Sequence, residues 1–157
     1  MNSSETSDSS HRSVADRMRA MVAEFSQDSE WEAKYARVIQ KGKALAELPA
    51  AYRDEKFKVK GCQSQVWLHA ELSPEGRLLL HGDSDAVIVR GLVACLIEVY
   101  NLATPSEVLA SSPNFLKDVG FDSHLSPSRA NGLHAMVKQI YLYATAFDAM
   151  ARLKSPR

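Results

Sequence analysis

The chain has 157 residues, the length of one domain, and its 19 lysines and arginines balance 19 aspartates and glutamates. A formal net charge of zero argues against broad electrostatic binding to nucleic acid or an anionic membrane, and no apolar run approaches the roughly eighteen residues needed to span a bilayer. A domain of this size buries about 68–70% of its unfolded surface, enough for a core without disulfides or a metal. The two cysteines, with no signal-peptide pattern ahead of them, predict free thiols in a reducing compartment, the cytoplasm.

Residues 1–12 are serine-rich and carry Glu5 and Asp8. They read as a disordered tail rather than a basic transit peptide, which leaves 13–153 as the folded domain. Val14, Met18, Met21, Val22 and Phe25 then form one stripe of an amphipathic helix. A second helix is predicted to open at Ser29, with Glu32 completing a capping box and Trp31, Tyr35, Val38 and Ile39 on its buried face. Gly42 and Pro49 punctuate its end, with Leu45 and Leu48 packed near the turn.

The period then changes. Phe57 and Val59 alternate with Lys56, Lys58 and Lys60, which predicts a short strand with one wet face. Val66, Leu68, Ala70 and Leu72 alternate through a longer strand, Ser73-Pro74-Glu75-Gly76 makes a turn, and Leu78 and Leu80 lie in a third strand ending near Gly82. The expectation is a three-stranded antiparallel meander with Cys62 between its first two strands. The stretch Asp85–Tyr100 is apolar nearly all round and predicts the central helix, with Asp83 or Asp85 capping its start. Thr104-Pro105-Ser106-Glu107 opens a short helix, another follows Ser112-Pro113 and ends at Gly120, and Ser126-Pro127 opens the last and longest. The fold class is α+β, a small sheet flanked by helices.

Cys62 is the leading candidate for chemistry. A cysteine with only a structural task hides among hydrophobes, whereas this one follows Gly61 and precedes Gln63, Ser64 and Gln65, in a loop a substrate can reach. An ordinary thiol has a pKa of about 8.5, so about a tenth or less is thiolate at neutral pH, and attack on sulfur requires the thiolate. Lys56, Lys58, Lys60 or inward-turned loop N–H groups are candidates to lower that pKa. Gly61 allows a sharp bend, and the three polar residues offer groups to hold the loop or a terminal persulfide. A cysteine packed passively under a turn is the competing reading. Cys95, between Ala94 and Leu96 in the most apolar helix, reads as structural filler.

His11, His69, His81, His124 and His134 show no metal-ligand spacing, and two cysteines fall short of a closed zinc site. A Cys62 pair with His69 or His81, the arrangement of a cysteine hydrolase, stays open as an alternative, without a local hydrolase signature. Arg129, at the third position after Ser126, opposes the helix dipole at a cost of about a few tenths of a kcal/mol. It therefore calls for a carboxylate or ligand partner, or projects into water.

The unbroken run Gly61-Cys62-Gln63-Ser64-Gln65-Val66-Trp67 resembles the signature of the SufE family of sulfur-acceptor proteins. Gly82-Asp83-Ser84-Asp85-Ala86 with Ile88 and Gly91-Leu92, and Leu125-Ser126-Pro127-Ser128-Arg129 with Asn131-Gly132-Leu133 and Met136, continue the resemblance. Trp31-Glu32, Lys34-Tyr35 and the Gly42 to Pro49 region extend it upstream, to about residues 14–150. The resemblance implies the α+β fold shared by SufE and IscU-type scaffolds. It implies an accessory protein without independent turnover, which takes persulfide sulfur onto Cys62 from a cysteine desulfurase of the SufS or CsdA kind. It also implies delivery of that sulfur to an iron–sulfur scaffold complex, with the CsdE branch and another thiolation pathway as the alternative. Pyridoxal phosphate belongs to the partner, so no cofactor is expected on this chain, and one reactive cysteine is too few to hold a cluster. A homodimer is compatible with this reading. Gly61, Gln63, Ser64, Gln65, Asp83, Asp85 and Arg129 carry over as positioning or partner-binding residues, and the acceptor cysteine is expected to be partly shielded until docking.

Overall fold

A computed structural model describes residues 12–154, so the expected tail, apart from Arg12, lies outside the described residues. Helices α1 (Val14–Phe25) and α2 (Trp31–Lys43) come first, followed by two 3₁₀ turns (Ala50–Tyr52 and Glu55–Phe57) and strands β1 (Val66–Leu72) and β2 (Leu78–Ser84). Then come α3 (Val87–Tyr100), the short α4 (Pro105–Ala110), α5 (Phe115–Val119) and α6 (Phe121–His124), and the long α7 (Pro127–Lys154).

The apolar sequence of α3 puts it at the centre. Leu92, Val93, Leu96, Val99 and Tyr100 are fully enclosed, and the helix packs against α1, α2, α7 and β2. Its crossing with α2 depends on a missing side chain. A Cβ on Gly91 would stand 2.2 Å from the Val38 carbonyl oxygen and 2.5 Å from its Cγ1. The predicted face of α1 is the buried one, and Ser13 caps it by accepting from the Asp16 N–H at 3.0 Å.

The sheet has two strands among the described residues, in antiparallel register from Val66↔Ser84 to Leu72↔Leu78, which corrects the three-stranded expectation. The alternation of Phe57 and Val59 does not become a strand, because Asp54 accepts from the Lys56 N–H and closes a 3₁₀ turn over Glu55–Phe57. Phe57 instead packs edge-on against Tyr52 and His69, at 5.8 and 4.8 Å between ring centres. What remains of the first strand is one isolated bridge, Lys58↔Trp67, and one hydrogen bond from the Val59 N–H to the Val66 oxygen at 2.8 Å. Farther along that edge of β1, the Tyr143 hydroxyl from α7 donates to the Leu68 oxygen at 2.7 Å.

Two expected helix caps are also corrected. The second helix starts after Glu30, so Glu32 is out of register for a capping box with Ser29. The residue preceding α3 is Ala86, with no side-chain cap, because β2 continues through Ser84 and carries Asp83 into the sheet. Thr104 caps α4 as predicted, accepting from the Glu107 N–H at 3.2 Å.

Gly91→Ala tests the α2–α3 crossing. Glycine to alanine in an exposed helix adds about 1 kcal/mol of stability. Here the new methyl meets backbone, so overpacking of about 1–3 kcal/mol wins and urea unfolding shifts to a lower midpoint. A higher midpoint would contradict the packing described.

Candidate functional site

Between the Lys58 bridge and β1 the chain turns at Lys60-Gly61 and presents Cys62. Gly61 has φ +93°, a left-handed conformation that a side chain would strain. Cys62 is half-buried, and its S–H donates to the Gly132 carbonyl oxygen on α7 at 3.5 Å. A Cβ on Gly132 would stand 3.4 Å from the sulfur, so the thiol rests directly on the helix at that position. The sulfur opens into a cavity of about 300 Å³ whose walls include Gln63, Ser64, Ser128, Arg129 and Met136.

Burial pushes the Cys62 thiol above its ordinary range, with no charged group acting against it. The expectation that Lys56, Lys58 and Lys60 lower it is therefore corrected. Lys58 is drawn instead to Glu55 at 3.1 Å and over the Trp67 ring at 5.9 Å, and Lys56 lies over Phe57 at 5.4 Å. At rest this site holds a protonated thiol in a polar recess, where attack on sulfur is slow.

The loop ends at a second fixed point. Asp85 accepts from the Gln65 N–H at 3.1 Å and from its side-chain amide at 3.3 Å, and the Asp85 N–H donates to the Gln65 oxygen at 3.2 Å. This carboxylate is thus a loop clamp. Asp83 does not line the cavity. It is 5% exposed, receives the Ser84 N–H at 2.7 Å and Arg90 at 2.5 Å, and pairs with Arg53 through its other oxygen. Arg129 lies exposed at the cavity rim, where its backbone N–H donates to the Ser126 hydroxyl at 3.3 Å. Among the described residues its guanidinium has no ion pair.

Arg53 and Arg90 went unnoticed in the sequence. Lone arginines carry no motif, and only the contact with Asp83 singles them out. Cys95 is enclosed in α3 and its thiol is pushed up to about 12 by burial, in keeping with a structural cysteine. His69 stacks on Tyr52 at 3.6 Å, with burial holding it below its ordinary pKa, while His81 faces Glu71, His124 lies on Trp31 and His134 pairs with Asp122. No histidine of the described residues lines the Cys62 cavity.

Residues 19–144 match the family model of the Fe-S metabolism associated domain, SufE. The fold is similar to that in the solution structure of a hypothetical protein from Thermus thermophilus. That likeness has 19% identity and a TM-score of 0.72, and covers 85% of this chain and 96% of the other. At that identity it concerns the fold, a mixed helix and sheet arrangement. The family match spans most of the chain and includes Cys62, both aspartates and Arg129, so this chain belongs to the SufE family, the Fe-S metabolism associated domain.

Proposed function

We propose that this protein accepts sulfur on Cys62 from the persulfide of a pyridoxal-phosphate cysteine desulfurase and passes it to a scaffold that assembles iron–sulfur clusters. The observation that carries this reading is the placement of Cys62, a half-buried thiol on a loop tied down at both ends, opening into a polar cavity. In the transfer the Cys62 thiolate attacks the outer sulfur of the donor's persulfide. One S–S bond forms and one breaks, the donor cysteine leaves as thiolate, and no external oxidant or reductant is consumed. Delivery repeats the exchange in the forward direction, with the recipient's thiolate attacking the outer sulfur on Cys62.

Because burial keeps the thiol protonated at rest, docking must remove its proton as well as expose it. A thiol shielded in this way is also spared the oxidation that an exposed thiolate suffers. Gln63 and Ser64 lie in the cavity wall, where their polar groups are available to a terminal persulfide, and Arg129 at the rim faces the approach of a partner. The hydrolase alternative loses its geometric support, since it requires a histidine at Cys62. Removing the donor's persulfide frees that enzyme for another cycle, so the protein raises desulfurase turnover.

The direct test is sulfide release by a cysteine desulfurase with wild type or Cys62→Ser. Stimulation by wild type and its loss in the variant are expected, whereas equal stimulation by both would overturn the acceptor role. A second measurement reads the thiol of the free protein. The rate of Cys62 alkylation should keep rising with pH through and beyond the ordinary thiol range of about 8.5. A plateau below that range would show that the site lowers the pKa instead.

A further inference from the structure

Upstream of Cys62 the segment 53–59 has little regular backbone pairing, and beside the packing of Phe57 and Val59 it is held to the sheet by cations on one aromatic ring. The Arg53 guanidinium lies 4.6 Å from the centre of the Trp67 ring and Lys58 Nζ lies 5.9 Å from it, so cations from the two ends of the segment share one indole. Trp67 is 7% exposed, and cation–π attraction strengthens as water is excluded. Arg53 is fixed a second time by Asp83, whose other oxygen takes Arg90. Downstream of the loop, Asp85 clamps Gln65. Residues 60–64 are therefore a short arc between two anchors, and Cys62 rests on Gly132 at its middle. A long excursion of the sulfur requires one anchor to let go.

We propose that Arg53 is a positioning residue for Cys62. Its guanidinium, held between the Trp67 ring and the Asp83 carboxylate, keeps the upstream segment seated and the thiol against Gly132, and its release lengthens the loop that presents the sulfur. The inference rests on the reading of Cys62 as the working thiol. Arg53 acts on the thiol through position alone, with no direct charge effect, and release that exposes the sulfur also relieves the burial that raises its pKa. Loss of Arg53 leaves Asp83 still paired with Arg90, so the variant keeps the buried carboxylate satisfied.

The chain carries its own control, since Cys95 is 1% exposed in the central helix and reacts only when the whole fold opens. Full-length wild type, Arg53→Ala and Arg53→Lys are pulsed with iodoacetamide at one pH, and the two cysteines are read separately by peptide mass spectrometry. A cation–π contact whose cation is partly exposed and a partly exposed ion pair together shift an opening equilibrium about five- to tenfold. Arg53→Ala is expected to speed Cys62 alkylation by that factor with Cys95 unchanged, and Arg53→Lys to fall between. An unchanged Cys62 rate overturns the proposal, as does a parallel rise at both cysteines, which is general loosening. Lys58→Ala removes the second cation without touching Asp83 and gives the same pattern if Arg53→Ala does not fold. Desulfurase stimulation by the same preparations separates the two failures. A wild type that does not stimulate overturns the functional reading, whereas stimulation with unaltered alkylation in both variants overturns the role of the clamp alone.

Discussion

A single buried carboxylate ties the parts of this site together. Asp83 sits on β2, facing outward from the sheet beside its cross-strand partner Trp67, and takes guanidinium groups from two directions. Arg90 comes from α3 and also donates to the Gly42 and Leu45 oxygens at 2.7 and 3.1 Å, joining the end of α2 to the same point. Arg53 comes from the segment that leads to Cys62. A buried charge without partners costs several kcal/mol, so the strand, both helices and the approach to the loop hold one another in place. Both arginines are partly exposed, at 41% and 30% of the side chain, which moderates the strength of each pair without removing the constraint on geometry.

Cys62 hangs from this frame. Its loop leaves the Lys58–Trp67 bridge, turns at Gly61, touches α7 at Gly132 and is clamped again at Asp85. The arrangement trades reactivity for protection. Burial raises the thiol's pKa and slows attack, and the same burial limits side reactions of the group proposed to carry sulfur. In the proposed transfer the chemistry is switched on by movement of residues 60–64, which the fold leaves as the part of the site without regular structure.

Much of the fold was legible from periodicity. The stripe from Val14 to Phe25 and the nearly all-apolar α3 reproduce the observed burial, because each covers enough residues to show its period. The alternation in β1 holds only in part, since Trp67 is buried and Leu72 exposed. The missing strand at Phe57 and Val59 failed for a local reason. Two apolar positions cannot distinguish a strand from a turn, and Asp54 decided the matter by accepting a neighbouring N–H. The four residues of α6 are too few to show any period.

The chemistry was less evenly legible. Cys62 stood out because a cysteine among polar residues after a glycine is anomalous without any structure. Asp83 and Asp85 were noticed, as helix caps from their place in the chain and as positioning residues from the resemblance, but sequence does not reveal that β2 runs on past Gly82. Arg53 was invisible, lying thirty residues from Asp83, and so was the contact of Gly132 with the sulfur across seventy. Long-range partners of this kind are set by topology, which periodicity does not encode.

The acceptor role is tested most directly by locating the sulfur itself. After incubation with a cysteine desulfurase and free cysteine, without reductant, peptide mass spectrometry should find one added sulfur, about 32 Da, on the Cys62 peptide and none on the Cys95 peptide. An unmodified Cys62 under conditions where the desulfurase turns over would contradict the account.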